Sequence, residues 1–211
     1  MDSVTVYDCE FLTAPGAPMR FWCGPHDPDP LCVQIGAVRL SLTAPFTVSK
    51  AEGWFVIPQD RDGHIVSVDP LLTRLTGIDD ATLAQDGMPI VEALTALDAF
   101  SQGGPLLSWG TDDVLTFSTS LFVQGLLSPI PAPRFRNAVP LLLTAGEALE
   151  DVLKLRSNTI CAYFDLEAPG AAHDARADAA SVALVLSHLL SQNRLSAADF
   201  ETLARPERPA P

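Results

Sequence analysis

The chain has 211 residues, enough for one domain with a full hydrophobic core and cramped for two. Its 47% apolar content and mean hydropathy of +0.21 exclude a disordered regulator. With 26 acidic residues against 13 basic ones the net charge is −13, which by itself argues against broad, non-specific binding to nucleic acid, where Lys and Arg must be in excess.

No membrane span is legible. The longest nearly uncharged apolar stretch, Ala179 to Leu190, contains His188 and is shorter than the roughly 20 residues a bilayer requires. Met1-Asp2-Ser3-Val4 shows no basic segment leading into an apolar one, so no secretory signal is read there. Cys9, Cys23, Cys32 and Cys161 form no CxxC pair, and a reducing, cytoplasmic setting is the expectation.

Val4 to Glu10 alternates with period two and predicts a strand, followed by a Pro/Gly-rich loop from Ala14 to Pro30. Leu31 to Leu40 predicts a second strand, and Phe46 to Ile57 a third, interrupted at Glu52-Gly53. Gly63 to Asp69 reads as a connection, after which Pro70 opens a short helix that stops at Gly77. Ile90 to Phe100 has helical periodicity, Pro105 to Trp109 predicts a short buried strand, and Asp113 to Leu127 is again helical. Phe135 to Leu143 is apolar enough for another buried strand, and Thr144-Ala145-Gly146-Glu147 matches a capping box, which places a helix start at Thr144. Asp174 to Leu190 is the clearest helix, Ser196 to Ala204 a shorter one, and Pro206 to Pro211 a Pro-rich tail expected to be disordered. Early strands followed by alternating helices and strands predict one α/β domain, residues 1–204, around a mixed sheet, with 205–211 as the tail.

Carboxylates fall where core residues belong. Alternation puts Val4, Val6, Asp8 and Glu10 on one face of the first strand. Two adjacent acids at a buried strand end each cost on the order of several kcal/mol without a compensating cation, and a hard divalent metal is the simplest compensation. A solvated strand end would remove that need. On the last long helix, Asp178 lies in line with Val182, Val185 and Leu189, the core-facing stripe, although a first-turn acid also complements the helix dipole. His173 stands five residues earlier, about 140° off that face if helical. With Asp174 as N-cap, His173 falls in the preceding loop, from which it reaches the same site as a general base on a metal-bound water.

Together these pieces resemble the DEDD superfamily of 3′→5′ exonucleases, in the subclass with histidine in the third motif. Asp8-Cys9-Glu10 is similar to the first motif, DxE, and Ile35-Gly36-Ala37-Val38 to the strand that follows it. Leu75-Thr76-Gly77-Ile78 resembles the segment before the second motif, SWGxxD, which reads Ser108-Trp109-Gly110-Thr111-Asp112-Asp113 here and assigns Asp113. His173 to Asp178 matches the third motif, HxxxxD, whereas the tyrosine subclass needs Tyr at 174, which is Asp. The resemblance spans residues 4 to 190, with Asp174 where Arg is common and no family motif in the loop 14–30.

The resemblance implies an RNase H-like exonuclease fold with a central mixed five-stranded sheet flanked by helices, and two divalent ions, Mg²⁺ or Mn²⁺. On that pattern Asp8, Glu10 and Asp178 hold the ion that activates water. Asp8 and, through its water shell, Asp113 help hold the second, and His173 takes the proton. The product is a nucleoside 5′-monophosphate released from a free 3′ end. Phe11, Leu12, Thr76 and Ile78 would line the pocket for the terminal nucleotide, with core packing the competing role, strongest for Ile78. Arg176, between the two third-motif residues, is the cation expected nearest the substrate.

Competing readings are few. A catalytically silent binding module would keep the fold but lose an acid or the histidine, and none is missing. A zinc site at Cys23, His26 and Cys32 lacks a fourth ligand. His64 reads as a loop residue and His188 as a helix residue at the core edge, neither with a companion acidic motif. Arg134 and Arg136, on one face of a predicted strand, would reach a phosphate backbone or pair with surplus carboxylates. Two bound divalent ions would offset the four ligand charges, so the acidity becomes a constraint: a short grip on 3′-terminal nucleotides of RNA or DNA, weak affinity for long duplex and little processivity. A homodimer, which some relatives of that family form, stays open.

Overall fold

A computed structural model describes residues 1–203; the tail expected from Pro206 onward lies outside the described residues. Six strands form one mixed sheet: β1 (Ser3–Phe11), β2 (Cys32–Ser41), β3 (Glu52–Val56), β4 (Gly87–Met88), β5 (Leu106–Ser108) and β6 (Phe135–Asn137). Their order is β4-β3-β2-β1-β5-β6, one strand more than expected, because the two-residue β4 adds itself to the β3 edge. β1, β2 and β3 run antiparallel in sequence, whereas β5 and β6 are parallel to β1. The helices are α1 (Pro70–Thr76), α2 (Asp80–Asp86), α3 (Ile90–Ser101), α4 (Asp112–Gln124), α5 (Val139–Thr144), α6 (Leu149–Val152), α7 (Ile160–Tyr163), α8 (Ala175–Ser191) and α9 (Ala197–Thr202).

The alternation of β1 sorts its side chains between two cores. Val4 and Val6 pack with Val38 and Leu40 of β2 beneath Val182, Val185, Leu186 and Leu189 of α8. Tyr7 and Cys9 face the other way, into a core with α3 and α4. On the α8 side the apolar layer ends at Asp8 and Glu10, where the helix presents its N-terminal turn.

That turn sits unusually close to the sheet. Gly36, paired with Asp8 in the β1–β2 register, faces the start of α8; a Cβ there would lie 2.2 Å from the carbonyl carbon of Ala175 and the amide nitrogen of Arg176. Ala175, Ala177, Ala179, Ala180 and Ala183 keep the helix slim along its buried length. Buried Gln34 ties the two elements together, its Oε1 accepting from the Ala175 amide at 3.0 Å and its Nε2 donating to Asp174 Oδ1 at 3.2 Å.

Four expectations need correction. The third strand does not start at Phe46: it begins at Glu52, and Val48 makes only an isolated bridge to Leu40. Gly53 is part of that strand rather than its interruption, because the space a Cβ would fill is taken by the Arg176 side chain at 2.7 Å. Phe135 to Leu143 divides into β6 and α5, with Pro140 in the first turn of the helix. A short buried apolar run has no periodicity to separate the two. Thr144 ends α5 instead of starting a helix: its hydroxyl donates back to Pro140 O, Gly146 is left-handed (φ 92°), and Glu147 pairs with Arg194. The capping box that does form is Ser196 with Asp199 at the start of α9. α2, capped by Asp79, and the one-turn helices α6 and α7 are additional to the elements the sequence pattern predicts. Among the described residues no helix is long and apolar enough to cross a membrane.

Replacing Gly36 by Ala is expected to force α8 off β2 and cost about 3 kcal/mol, the upper range for overpacking. Urea unfolding of Gly36→Ala beside the parent measures it; equal midpoints would show that the helix yields without cost.

Candidate active site

Five residues from four parts of the chain meet in one cleft of about 390 Å³. Asp8 and Glu10 come from the end of β1, Asp113 from the first turn of α4, His173 from the loop before α8, and Asp178 from the first turn of α8. Cys9, Phe11, Pro18, Trp109, Arg156 and Ser157 are also in its walls. The three aspartates are nearly out of solvent, 9%, 5% and 4% exposed for Asp8, Asp113 and Asp178, so these are not solvated strand-end acids.

Each is placed by a local device. Asp113 follows β5 through the left-handed Gly110 (φ 95°), and its Oδ1 accepts from the Cys9 amide at 2.9 Å and lies 3.2 Å from the Cys9 thiol. Asp174 caps α8, its side chain accepting from the Arg176 amide. The helix therefore starts one residue after Asp174 and leaves His173 outside it, as the capping pattern predicts. His173 adopts a left-handed backbone (φ 62°), uncommon for a residue with a Cβ and a local strain that turns the chain into the cleft. Ligating atoms of Glu10, His173 and Asp178 lie within 4.8 Å of one another.

The acids are crowded beyond what their surroundings neutralise. Burial, then the neighbouring Asp113, Glu10 and Asp178, push the Asp8 carboxyl well above the usual range, with the Ser157 hydroxyl opposing. Glu10 is pushed from 4.5 to about 8, by burial first and then by Asp178, Asp113 and Asp174. Asp113 rises to about 6 through burial, held down by the Cys9 donors. Asp178 also rises to about 6 through burial, with the His173 backbone amide opposing. Among the described residues, Arg156 is the one Lys or Arg in the cleft wall, and its guanidinium hydrogen-bonds the Leu155 carbonyl at 2.9 Å. A cluster of oxygen donors with raised pKa and little positive charge is the donor chemistry that suits hard divalent cations.

The other anticipated residues are dispersed. Phe11 is in the cleft wall, but Leu12 and Ile78 are buried in a separate apolar cluster. Thr76 Oγ1 donates to Leu72 O and accepts from the Ile78 amide, closing α1. Arg176 is not in the cleft: its guanidinium binds both carboxylate oxygens of Asp174 and its stem lies over Gly53. Arg134, in a 3-10 turn rather than a strand, pairs with Asp98 and the Gly104 carbonyl; Arg136 donates to Phe200 O. Cys32 is buried in β2 while Cys23 is exposed, so no zinc cluster forms there among the described residues. His64 does have acidic companions, Asp60 and Asp62, in an exposed turn held by amide bonds to Asp60 Oδ1. His188 lies at the core edge against Phe164. Gln34 is the residue that the sequence motifs miss; its signal is a Gln inside the apolar run Leu31 to Leu40, on the face of Gly36.

No model of a known protein family matches the sequence, and no curated protein matches it. Solved structures do. The nuclease domain of 3′hExo, a DEDDh family member bound to rAMP, matches at TM-score 0.69 and 14% identity over 90% of this chain and 92% of that one. A 3′-exonuclease recognising the 3′ end of histone mRNA stem-loop matches at TM-score 0.67 and 13% identity over 90% of this chain and 82% of that one. The E. coli ExoI–ssDNA complex matches at TM-score 0.61 and 16% identity, covering 92% of this chain and 42% of that one. The fold is therefore the one these exonuclease structures share.

Two outcomes follow from the site. Without metal, Glu10 keeps between about 4.5 and about 8 a proton that the unfolded chain has lost, and Asp113 and Asp178 do so up to about 6. Raised carboxyl pKa values bind more protons in the native state, so stability falls as pH rises through that window. Melting in EDTA is expected to show Tm decreasing from pH 5 to 8, and millimolar Mn²⁺ to raise Tm most at the alkaline end; a flat EDTA profile would contradict the crowding. Gln34→Leu leaves the buried Ala175 amide without its acceptor, while Asp174 keeps Arg176, and is expected to cost about 1–3 kcal/mol. It should also weaken the Mn²⁺-induced Tm shift.

Proposed function

We propose that the protein is a metal-dependent 3′→5′ exonuclease that releases nucleoside 5′-monophosphates from nucleic acid. The observation that carries the reading is the convergence of Asp8, Glu10, Asp113, Asp178 and His173 on one cleft with raised carboxyl pKa values and, among the described residues, one Lys or Arg in the wall. The fold shared with DEDD exonucleases supports it.

Glu10 and Asp178, with Asp8 beside them, would hold one divalent ion, and Asp8 with Asp113 would contribute to a second. Such ions, Mg²⁺ or Mn²⁺, supply positive charge to the attacking and leaving oxygens of an in-line displacement. The carboxylates must shed their protons for this, so apparent metal affinity rises with pH. His173 would accept a proton from the water that attacks the terminal phosphorus, and the 3′-oxygen of the next nucleotide would leave. Its fixed left-handed backbone holds the imidazole at the cleft without the rotational search a free loop would impose. Phe11 in the wall offers a ring to the terminal nucleotide.

Single strands of DNA and RNA labelled at either end, with Mg²⁺ or Mn²⁺, test this. Mononucleotides should appear first from the 3′ end. His173→Ala is expected to lower kcat by about 10²–10⁴-fold, and Asp8→Ala to abolish turnover while leaving the protein folded. Undiminished activity in Asp8→Ala would sink the assignment, and early internal fragments would mark an endonuclease instead.

A further inference from the structure

The Pro-rich segment between β1 and β2 belongs to none of the motifs, yet it borders the cleft. Its 3-10 turn, Ala17–Arg20, places Pro18 in the cleft wall. Trp22 packs edge-on against Phe11, also in the wall, at 5.4 Å between ring centroids, and its indole donates to Thr13 Oγ1. Met19, Arg20 and Phe21 are thus held between two residues anchored on the cleft. Met19 is 90% and Phe21 77% exposed.

The turn is braced to hold them there. Phe21 and Trp22 are both left-handed (φ 55° and 53°), a conformation that bulky residues adopt only when the surroundings impose it. The Trp22 amide donates to Ala17 O at 3.0 Å, and Arg20 binds both carboxylate oxygens of Asp27 and the Pro15 carbonyl. That pairing also removes Arg20 as a phosphate ligand, as Asp174 removes Arg176. Arg156 is then the one Lys or Arg in the cleft wall among the described residues, and on the side of this turn the exposed surface is aromatic and apolar rather than cationic.

We propose that the Met19–Phe21 turn is a stacking platform for an unpaired base one or two positions inside the 3′ end of a single strand. The proposal rests on the nuclease reading for the identity of the strand. Every base has a π-face, so such a platform tolerates any sequence, but it requires a base free of its complement. A grip built on stacking also depends weakly on salt.

The test uses the full chain with Mn²⁺ and a fluorescent oligothymidylate whose 3′-terminal linkage is a phosphorothioate, slowing its hydrolysis. Phe21→Ala is expected to weaken binding about tenfold, the scale of one lost stacking contact, and Phe21→Trp to restore it. An oligonucleotide abasic at the two positions inside the 3′ end should bind parent and Phe21→Ala alike. Leu127→Ala, which removes a still more exposed apolar side chain outside the cleft wall, should bind as the parent does. Equal affinity of Phe21→Ala and parent, or a loss that persists on the abasic strand, overturns the platform. If ordinary oligonucleotide is hydrolysed but binding ignores Phe21, the platform falls and the nuclease stands. Phe21-dependent binding without hydrolysis upholds the platform and removes the nuclease, and a parent that neither binds nor cleaves removes both.

Discussion

A helix carrying an acid can deliver it to a strand that already carries two only by coming closer to the sheet than side chains ordinarily permit. Here the approach is made at Gly36, where the first turn of α8 occupies the volume a Cβ would need. Burying a helix N-terminus against a strand would leave its amides orphaned, and Gln34 answers that by accepting from Ala175 while donating to the capping Asp174. Because Gln34 and Gly36 stand opposite Glu10 and Asp8 in the β1–β2 register, the strand pairing that builds the sheet also sets the helix beside the acids. Asp178 lies one turn inside the helix and His173 just outside it, so both positions follow from the same contact.

The cost of that geometry is electrostatic. Along β1 the face toward α8 changes from Val4 and Val6 to Asp8 and Glu10, and along α8 from Leu189 and Val185 to Asp178, so two apolar layers end together in carboxylates. Neither element presents a Lys or Arg to the acids: Arg176, the nearest in sequence, is turned over Gly53 and held by Asp174. Four acids whose pKa values are raised, first by burial, destabilise the metal-free fold, and a protein keeps such a conflict where a ligand relieves it. The large cores on both faces of the sheet supply the stability that permits it.

Much of this arrangement is legible in the sequence because it depends on short-range periodicities. Alternation puts Asp8 and Glu10 on one strand face, the 3.6-residue stripe puts Asp178 with Val182, Val185 and Leu189, and the N-cap at Asp174 releases His173 from the helix. What is not legible depends on contacts distant in sequence. Gly53 reads as a break until the side chain that fills its missing Cβ is seen, and Arg176 points at the site until its partner is known. Phe135 to Leu143 is apolar almost throughout, and only the Asn137 side chain, accepting from Gly110 and Val139 amides, divides strand from helix. Leu12 and Ile78, assigned through resemblance, face a core cluster whose membership no local pattern encodes.

The net charge of −13 takes a narrower meaning from the structure. Among the described residues, several cations are already engaged: Arg20, Arg134, Arg176 and Arg194 each commit their guanidinium to a carboxylate of the chain itself. On the proposed function, a polyanion approaching the cleft would meet divalent charge at the acid cluster, Arg156 in the wall, and aromatic or apolar surface from Phe11 and Pro18 towards Phe21. Attraction of that kind falls off within a nucleotide or two of the reacting phosphate, whereas a basic groove would follow the backbone for many. On that reading the acidity opposes one manner of holding nucleic acid, tracking along a long charged strand, and leaves intact the proposed chemistry at its end.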